Sequence, residues 1–150
     1  MGVADSAGRG LAAGFAGALA ITASQRIEMA ITGRPPSELP AKVAESALGI
    51  SLRGRRRALA AMAMHWLNNT LSGLGRPAVA RAGLRGTPAI GATWLLYLGG
   101  SNTLFAGLGV MPPPWRREPG QLAIELIHAA AYAVAASTVY DLLDRPSGPE

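Results

Sequence analysis

The last apolar segment, residues 121–140, carries side chains that can exchange a proton or bind a metal ion. Gln121, Glu125, His128 and Tyr132 recur at a spacing that places them on one face of a helix, opposite Leu, Ile, Val and Ala. An ionisable pair in a helix of membrane length normally faces a bundle interior or a wet cavity, because its exposure to hydrocarbon is costly. The pattern therefore predicts a helix that turns this polar face towards neighbouring helices.

Composition favours a membrane protein over a soluble one. The 150 residues are 49% hydrophobic and only 15% charged, whereas soluble domains carry about 25% charged residues. The charges gather in short basic segments between long apolar ones. We therefore expect a single transmembrane domain over residues 1–150, folded as an all-α four-helix bundle.

Helix signals divide the chain into four spans. We expect spanning helices at about 10–32, 58–75, 87–109 and 121–143, and an interfacial amphipathic helix at about 40–49. Residues 1–9 and the basic connector 76–86 are expected to lie outside helices. Ala18-Leu-Ala20 also fits a signal-peptide cleavage motif, but apolar character continues to Ile31, which favours a retained helix.

Four spans would bring both termini to one side of the membrane, which we call side A. The loops at 33–57 and 110–120 would then lie on the other side, called side B. Side B carries more Arg and Lys, which favours it as the cytoplasmic side. The predicted environment is a lipid bilayer, crossed in several passes.

Polar side chains of all four spans are predicted to fall in one layer nearer side B. Counting from the predicted helix ends, Glu28 and Glu125 lie roughly 6 Å deep, and His65, Asn102 and His128 roughly 10 Å deep. We treat this layer as the candidate site. Its members are Glu28, His65, Asn68, Asn69, Asn102, Glu125, His128 and Tyr132.

Several functions fit such a layer. Glu28, His65, Glu125 and His128 are weak candidates for metal ligands, because di-iron bundles need two Glu-x-x-His motifs and this chain has one. The layer could instead carry protons or a small solute, bind a lipid or isoprenoid headgroup, or only fix helix packing. We expect a non-enzymatic accessory or conducting protein without a cofactor, with a metal-dependent membrane enzyme as the alternative.

Two further features bear on partners. A basic segment suits anionic headgroups or serves as a topology signal, and a small-residue face in the first helix allows close helix approach and self-association. The basic residues are Arg53, Arg55, Arg56 and Arg57, and the small face is Gly10, Gly14 and Gly17. Aromatic residues do not alternate with the basic ones, so nucleic-acid binding is not expected. The absence of cysteine excludes disulfides and thiolate metal sites.

Short motifs along nearly the whole chain resemble a family of small four-helix bacterial inner-membrane proteins of unknown function, distantly similar to YagU-type proteins. They are Gly33-Arg-Pro-Pro-Ser37, Met64-His65-Trp66, Pro112-Pro-Pro-Trp115 and the segment from Glu125 through His128 and Tyr132 to Tyr140-Asp141. The resemblance implies an inner-membrane location and a helical bundle. It assigns no catalytic residue, and Ala129 stands where many relatives carry a second histidine.

Overall fold

The computed structural model describes residues 2–145, and all regular secondary structure in that range is helical. The all-α prediction is confirmed for this part of the chain. Two single 3-10 turns, Gly73–Gly75 and Pro114–Arg116, separate some of the helices. The helices are α1 (Val3–Thr32), α2 (Leu39–Leu48), α3 (Gly54–Ser72), α4 (Arg76–Arg81), α5 (Gly86–Gly107) and α6 (Pro119–Leu143).

Local sequence explains several helix ends. The residue after α1 is Gly33, which adopts a left-handed φ of 70° and donates its N–H to the Met29 carbonyl. Gly49 ends α2 with a φ of 64°. Both are positions where a side chain would be strained. Pro119 begins α6, where its fixed φ suits the first turn and its missing N–H is not needed.

Two helical segments lie where the sequence suggested none. Residues 1–9 were expected outside helices, but α1 already begins at Val3, and its Arg9 forms a 2.9 Å ion pair with Asp144 after the end of α6. The predicted connector 76–86 contains α4, and its Arg76 is buried rather than exposed. The second long helix also starts earlier than predicted, so that Arg55, Arg56 and Arg57 occupy the first turn of α3 instead of a loop.

The long helices form an incomplete ring. α1 packs against both α3 and α6, and α6 packs against both α1 and α5, whereas α3 and α5 are not packed together. α2 lies across α3 at the end that we assigned to side B. This arrangement leaves a gap between α3 and α5 that only a few side chains bridge.

Glycines bring α1 and α3 into close contact. A Cβ atom added to Gly14 would overlap the carbonyl oxygen of Thr70, and one added to Gly17 would lie 2.5 Å from the ring of Tyr132. Gly10 faces Gly73 and Pro77 in the same way. The glycine face that we expected to support self-association is therefore buried within the chain, and an oligomer would have to form through another surface.

The interior is small and polar, and the surface is apolar. Fully buried positions are mainly alanines together with Asn69, Thr93 and Ser137, while large apolar side chains such as Leu95, which is 64% exposed, and Ile127, which is 63% exposed, cover the outside. Within residues 2–145, one helix, Pro119–Leu143, is long and apolar enough to cross a membrane. The multi-pass arrangement therefore remains a prediction.

Candidate functional site

The side chains of the predicted polar layer form three separate hydrogen-bonded groups instead of one site. The first group joins α1 to α6. His128 Nδ1 lies 2.8 Å from the Ser24 hydroxyl, and His128 Nε2 lies 3.8 Å from Glu28 Oε2 without a hydrogen bond of its own. Glu28 is held by Arg34, whose Nη2 donates to Oε2 over 2.6 Å. These hydrogen bonds raise the pKa of the Arg34 guanidinium above its usual value.

This first group has the composition of a hydrolytic triad but not its geometry. In a triad, the histidine would have to contact the carboxylate directly and the serine would have to face the substrate. Here the Glu28 carboxylate is paired with Arg34, and Ser24 lines neither of the two cavities found within residues 2–145. We interpret the group as a polar link between α1 and α6.

The second group joins α1, α3, α5 and α6 in the middle of the bundle. His65 Nε2 lies 2.8 Å from the Thr22 hydroxyl, whose only proton is donated to the Ala18 carbonyl, so His65 Nε2 is the donor. Asn69 Oδ1 accepts a 2.7 Å hydrogen bond from the Tyr97 hydroxyl.

Tyr132 completes this second group from α6. Its hydroxyl donates to the Asn69 carbonyl over 2.9 Å, and its ring stacks on Tyr97 with the centroids 4.1 Å apart. Tyr132 itself is fully buried. The Tyr97–Tyr132 pair and Asn69 therefore fill the centre of the bundle.

The third group lies between α5, α6 and the turn before α6. Asn102 Nδ2 donates to Glu125 Oε1 over 3.1 Å, and Arg117 contacts both Glu125 and the Asn102 side-chain oxygen. Arg117 was not selected from the sequence. It lies eight residues before Glu125, in the segment 110–120 that we expected to be a loop on side B.

Glu125 and His128 consequently serve different neighbours, although they lie one helical turn apart. Glu125 pairs with Arg117, and His128 contacts Ser24. Within residues 2–145, no three His, Asp or Glu side chains come together as a metal site. The weak metal candidates Glu28, His65, Glu125 and His128 thus do not assemble into a ligand set in this part of the chain.

A cavity of about 660 Å³ lies beside these groups, between α1, α2, α3 and α5. The predicted residues His65, Asn68 and Asn69 line it. The sequence analysis did not select the other lining residues. They are Thr22, Gln25, Arg26, Met29, Arg34, Pro36, Ser37, Leu39, Pro40, Val43, Met62, Met64, Trp66, Tyr97 and Phe105.

α2 covers one side of the cavity and is held by ion pairs. Arg57 Nε lies 3.4 Å from Glu45, and Arg57 Nη2 lies 3.6 Å from Glu38. Of the four arginines expected to meet headgroups, Arg57 is thus engaged within the chain. Arg53, Arg55 and Arg56 are exposed, and their contact with lipid headgroups remains a prediction.

Another polar cluster, separate from the three groups described above, lies at the side A end of the bundle. The Arg76 side chain is 0% exposed, pairs with Asp141 and lies 4.8 Å from the centroid of the Tyr140 ring. Asp144 binds both Arg9 and Arg85. The sequence analysis missed this cluster, because it interpreted these arginines only as residues of a tail and a connector.

No family model, curated protein or solved structure matches this chain. The resemblance to small bacterial inner-membrane proteins therefore remains a prediction. Any statement about function has to rest on the cavity and on the residues around it.

Proposed function

We propose that the chain is a non-enzymatic, multi-pass membrane protein that binds a small amphiphilic molecule in the cavity near side B. The observation that carries this proposal is the cavity itself, with Arg26, His65 and Asn68 among its polar lining residues and Met62, Trp66 and Phe105 among its apolar ones. Ligand sites of about 300–1,000 Å³ commonly combine an apolar lining with a few polar groups. The cavity falls within that range.

The distribution of side chains supports a membrane environment. Large apolar residues cover the outer surface, and small or polar residues fill the inside, as expected where lipid replaces water. α1, α5 and α6 have 30, 22 and 25 residues, and about 20 residues are enough to cross the hydrocarbon layer. α3 has 19 residues and continues into the 3-10 turn.

Closure towards side A favours binding over conduction. Thr22, Asn69 and Tyr97 line the cavity, and the interior beyond them is filled by fully buried groups such as Ala136 and Tyr140. A conducting path would need polar groups that continue through the side A half. Ala13, Gly14 and Gly17 lie in close contact with neighbouring helices in that half. The polar groups present there are paired with one another, as Arg76 with Asp141 and Ser137 with Thr93.

Single-cysteine labelling tests the topology directly, because the chain contains no cysteine. Ser51→Cys and Ala82→Cys place one thiol in each of two exposed positions, on side B and on side A. We expect a membrane-impermeant maleimide added outside intact cells to label only one of the two, and both after lysis. Labelling of both in intact cells, or release of the protein from membranes by alkaline carbonate, would overturn the proposal.

A further inference from the structure

Arg26 occupies an unusual position for a charged residue. It lies six residues before the end of α1, roughly 9 Å along the helix. It lines the cavity and is exposed rather than buried. Among residues 2–145, the neighbouring carboxylate of Glu28 pairs with Arg34, and no hydrogen bond or ion pair involves Arg26. An arginine at this depth in a membrane normally has an anionic partner or faces water, because its charge is costly in hydrocarbon.

The cavity as a whole is positive. Its lining contains two arginines, Arg26 and Arg34, and no aspartate or glutamate. The charge of Arg34 is balanced by Glu28, which lies outside the lining, so the charge of Arg26 remains uncompensated. Gln25 and Asn68 add neutral hydrogen-bonding groups to the lining. A guanidinium with such neighbours suits a phosphate, which accepts two parallel N–H donors.

Apolar side chains form much of the remaining lining. Met62 and Trp66 of α3 and Phe105 of α5 belong to it, and the backbones of α3 and α5 make few contacts with each other. The Trp66 ring also packs on the Phe15 ring of α1, with the centroids 5.6 Å apart. Met62 is 55% exposed, so the apolar lining continues onto the outer surface of the bundle. Apolar side chains along the gap between α3 and α5 would not stabilise a soluble anion. They would stabilise an acyl chain, because its apolar surface would stay out of water.

We infer that the cavity holds an anionic membrane lipid, with its phosphate at Arg26 and an acyl chain leaving between α3 and α5. This inference rests on the proposed function and names the class of its ligand. The positive lining selects the charge of the headgroup. The gap between α3 and α5 provides lateral access from the bilayer.

Protection of a cavity thiol tests this inference. An Asn68→Cys variant, purified in neutral detergent, is titrated with dioctanoyl phosphatidylglycerol, dioctanoyl phosphatidylcholine or glycerol phosphate, and the rate of maleimide labelling is measured. We expect the anionic lipid to slow labelling at about tenfold lower concentration than the neutral lipid, which corresponds to about 1.4 kcal/mol of binding free energy. Glycerol phosphate should not slow it.

Two arginine variants provide the matched comparison in the Asn68→Cys background. Arg26→Gln should abolish the preference for the anionic lipid, and Arg81→Gln, an exposed arginine near side A, should retain it. We expect Arg26→Gln to keep its thermal midpoint, because the Arg26 side chain has no partner among residues 2–145. An unchanged midpoint would exclude misfolding as the cause of the lost lipid preference.

The possible outcomes separate this inference from the proposed function. Equal protection by both lipids, or an unchanged preference in Arg26→Gln, would overturn the anionic-lipid inference and leave amphiphile binding intact. Protection by glycerol phosphate as strong as by the lipid would identify a soluble phosphate compound and overturn the lipid assignment. If neither lipid slowed labelling, the cavity would bind no such amphiphile, and the proposed function itself would fail.

Discussion

The two halves of the bundle use α1 in opposite ways. In the side A half, Gly14 and Gly17 let α1 approach α3 and α6 so closely that a methyl group would not fit, and Gly10 lies against Gly73 and Pro77. In the side B half, Thr22, Gln25 and Arg26 hold larger polar side chains towards a cavity. The comparison shows that small residues close one half of the bundle, whereas long polar residues keep the other half open.

The two halves also differ in how their arginines are paired. Near side A, Arg76 is completely buried and pairs with Asp141 and the Tyr140 ring. Near side B, Arg26 and Gln25 line the cavity without a partner in the described residues. We therefore expect substitutions at the Arg76–Asp141 pair to affect folding, and substitutions of the unpaired cavity residues Gln25 and Arg26 to affect binding.

The largest effect is expected at the buried ion pair. Asp141→Ala leaves the Arg76 charge buried without its carboxylate, and loss of one partner of such a pair costs about 3–5 kcal/mol. Because the Asp141 side chain is 25% exposed, the lower end of that range applies. The midpoint of unfolding in detergent measures this loss. Glu38→Ala breaks two ion pairs of an exposed carboxylate, with Lys42 and with Arg57, and should change stability by less than about 1 kcal/mol. If both variants lost the same free energy of unfolding, burial of the Arg76 charge would not explain the cost of Asp141→Ala.

A smaller loss is expected from closing the space between α1 and α3. The methyl group of Gly14→Ala would overlap the Thr70 carbonyl, and overpacking of this kind typically costs about 1–3 kcal/mol. Gly91 on α5 has open space around it, so Gly91→Ala should leave stability unchanged or raise it by up to about 1 kcal/mol. Thermal unfolding of both variants compares the two sites. A destabilised Gly91→Ala would show that any added methyl group disturbs the bundle.

The boundary between the halves depends on hydrogen bonds at Asn69. Tyr132→Phe removes the donor to the Asn69 carbonyl but keeps the ring stacked on Tyr97, and it should lower the free energy of unfolding by about 1 kcal/mol. The same unfolding measurement applies. No change at all would indicate that stacking alone closes the cavity towards side A.

The smallest effect on stability is expected inside the cavity. Gln25 lines it and has no hydrogen-bond partner among residues 2–145, so Gln25→Ala should change the free energy of unfolding by no more than about 0.5 kcal/mol. Loss of stability comparable to that of Tyr132→Phe would mean that the side B half is packed as tightly as the centre.

Periodicity predicted the helices and the polar face of α6, since both depend on neighbours within one segment. His128 and Tyr132 do face the interior, as their spacing indicated. The partners of each polar residue depended on contacts between distant segments, such as Arg9 with Asp144 or Ser24 with His128. Counting residues from the helix end gave the depth of Glu125 and His128, but it did not show which neighbouring helix each side chain faces. The sequence therefore suggested one site where the structure has three groups.

The cavity could not be predicted, because it depends on two helices, α3 and α5, whose backbones remain apart although the Asn69–Tyr97 hydrogen bond joins them. Nothing in the sequences of α3 and α5 indicates that their backbones remain apart. Arg26 is a charge within an apolar segment, but the sequence analysis did not select it. The structure pairs Glu28 with Arg34 and leaves Arg26 at the cavity.

The most direct test of the central claim compares thiol reactivity in the two halves. Asn68→Cys places a thiol at the cavity wall, and Ser137→Cys places a nearly isosteric one at a position that is 1% exposed beside Thr93. In the folded protein, we predict rapid reaction of Asn68→Cys with a small water-soluble maleimide and no reaction of Ser137→Cys until the protein is denatured. Equal rates in the folded state would contradict an open side B half and a closed side A half.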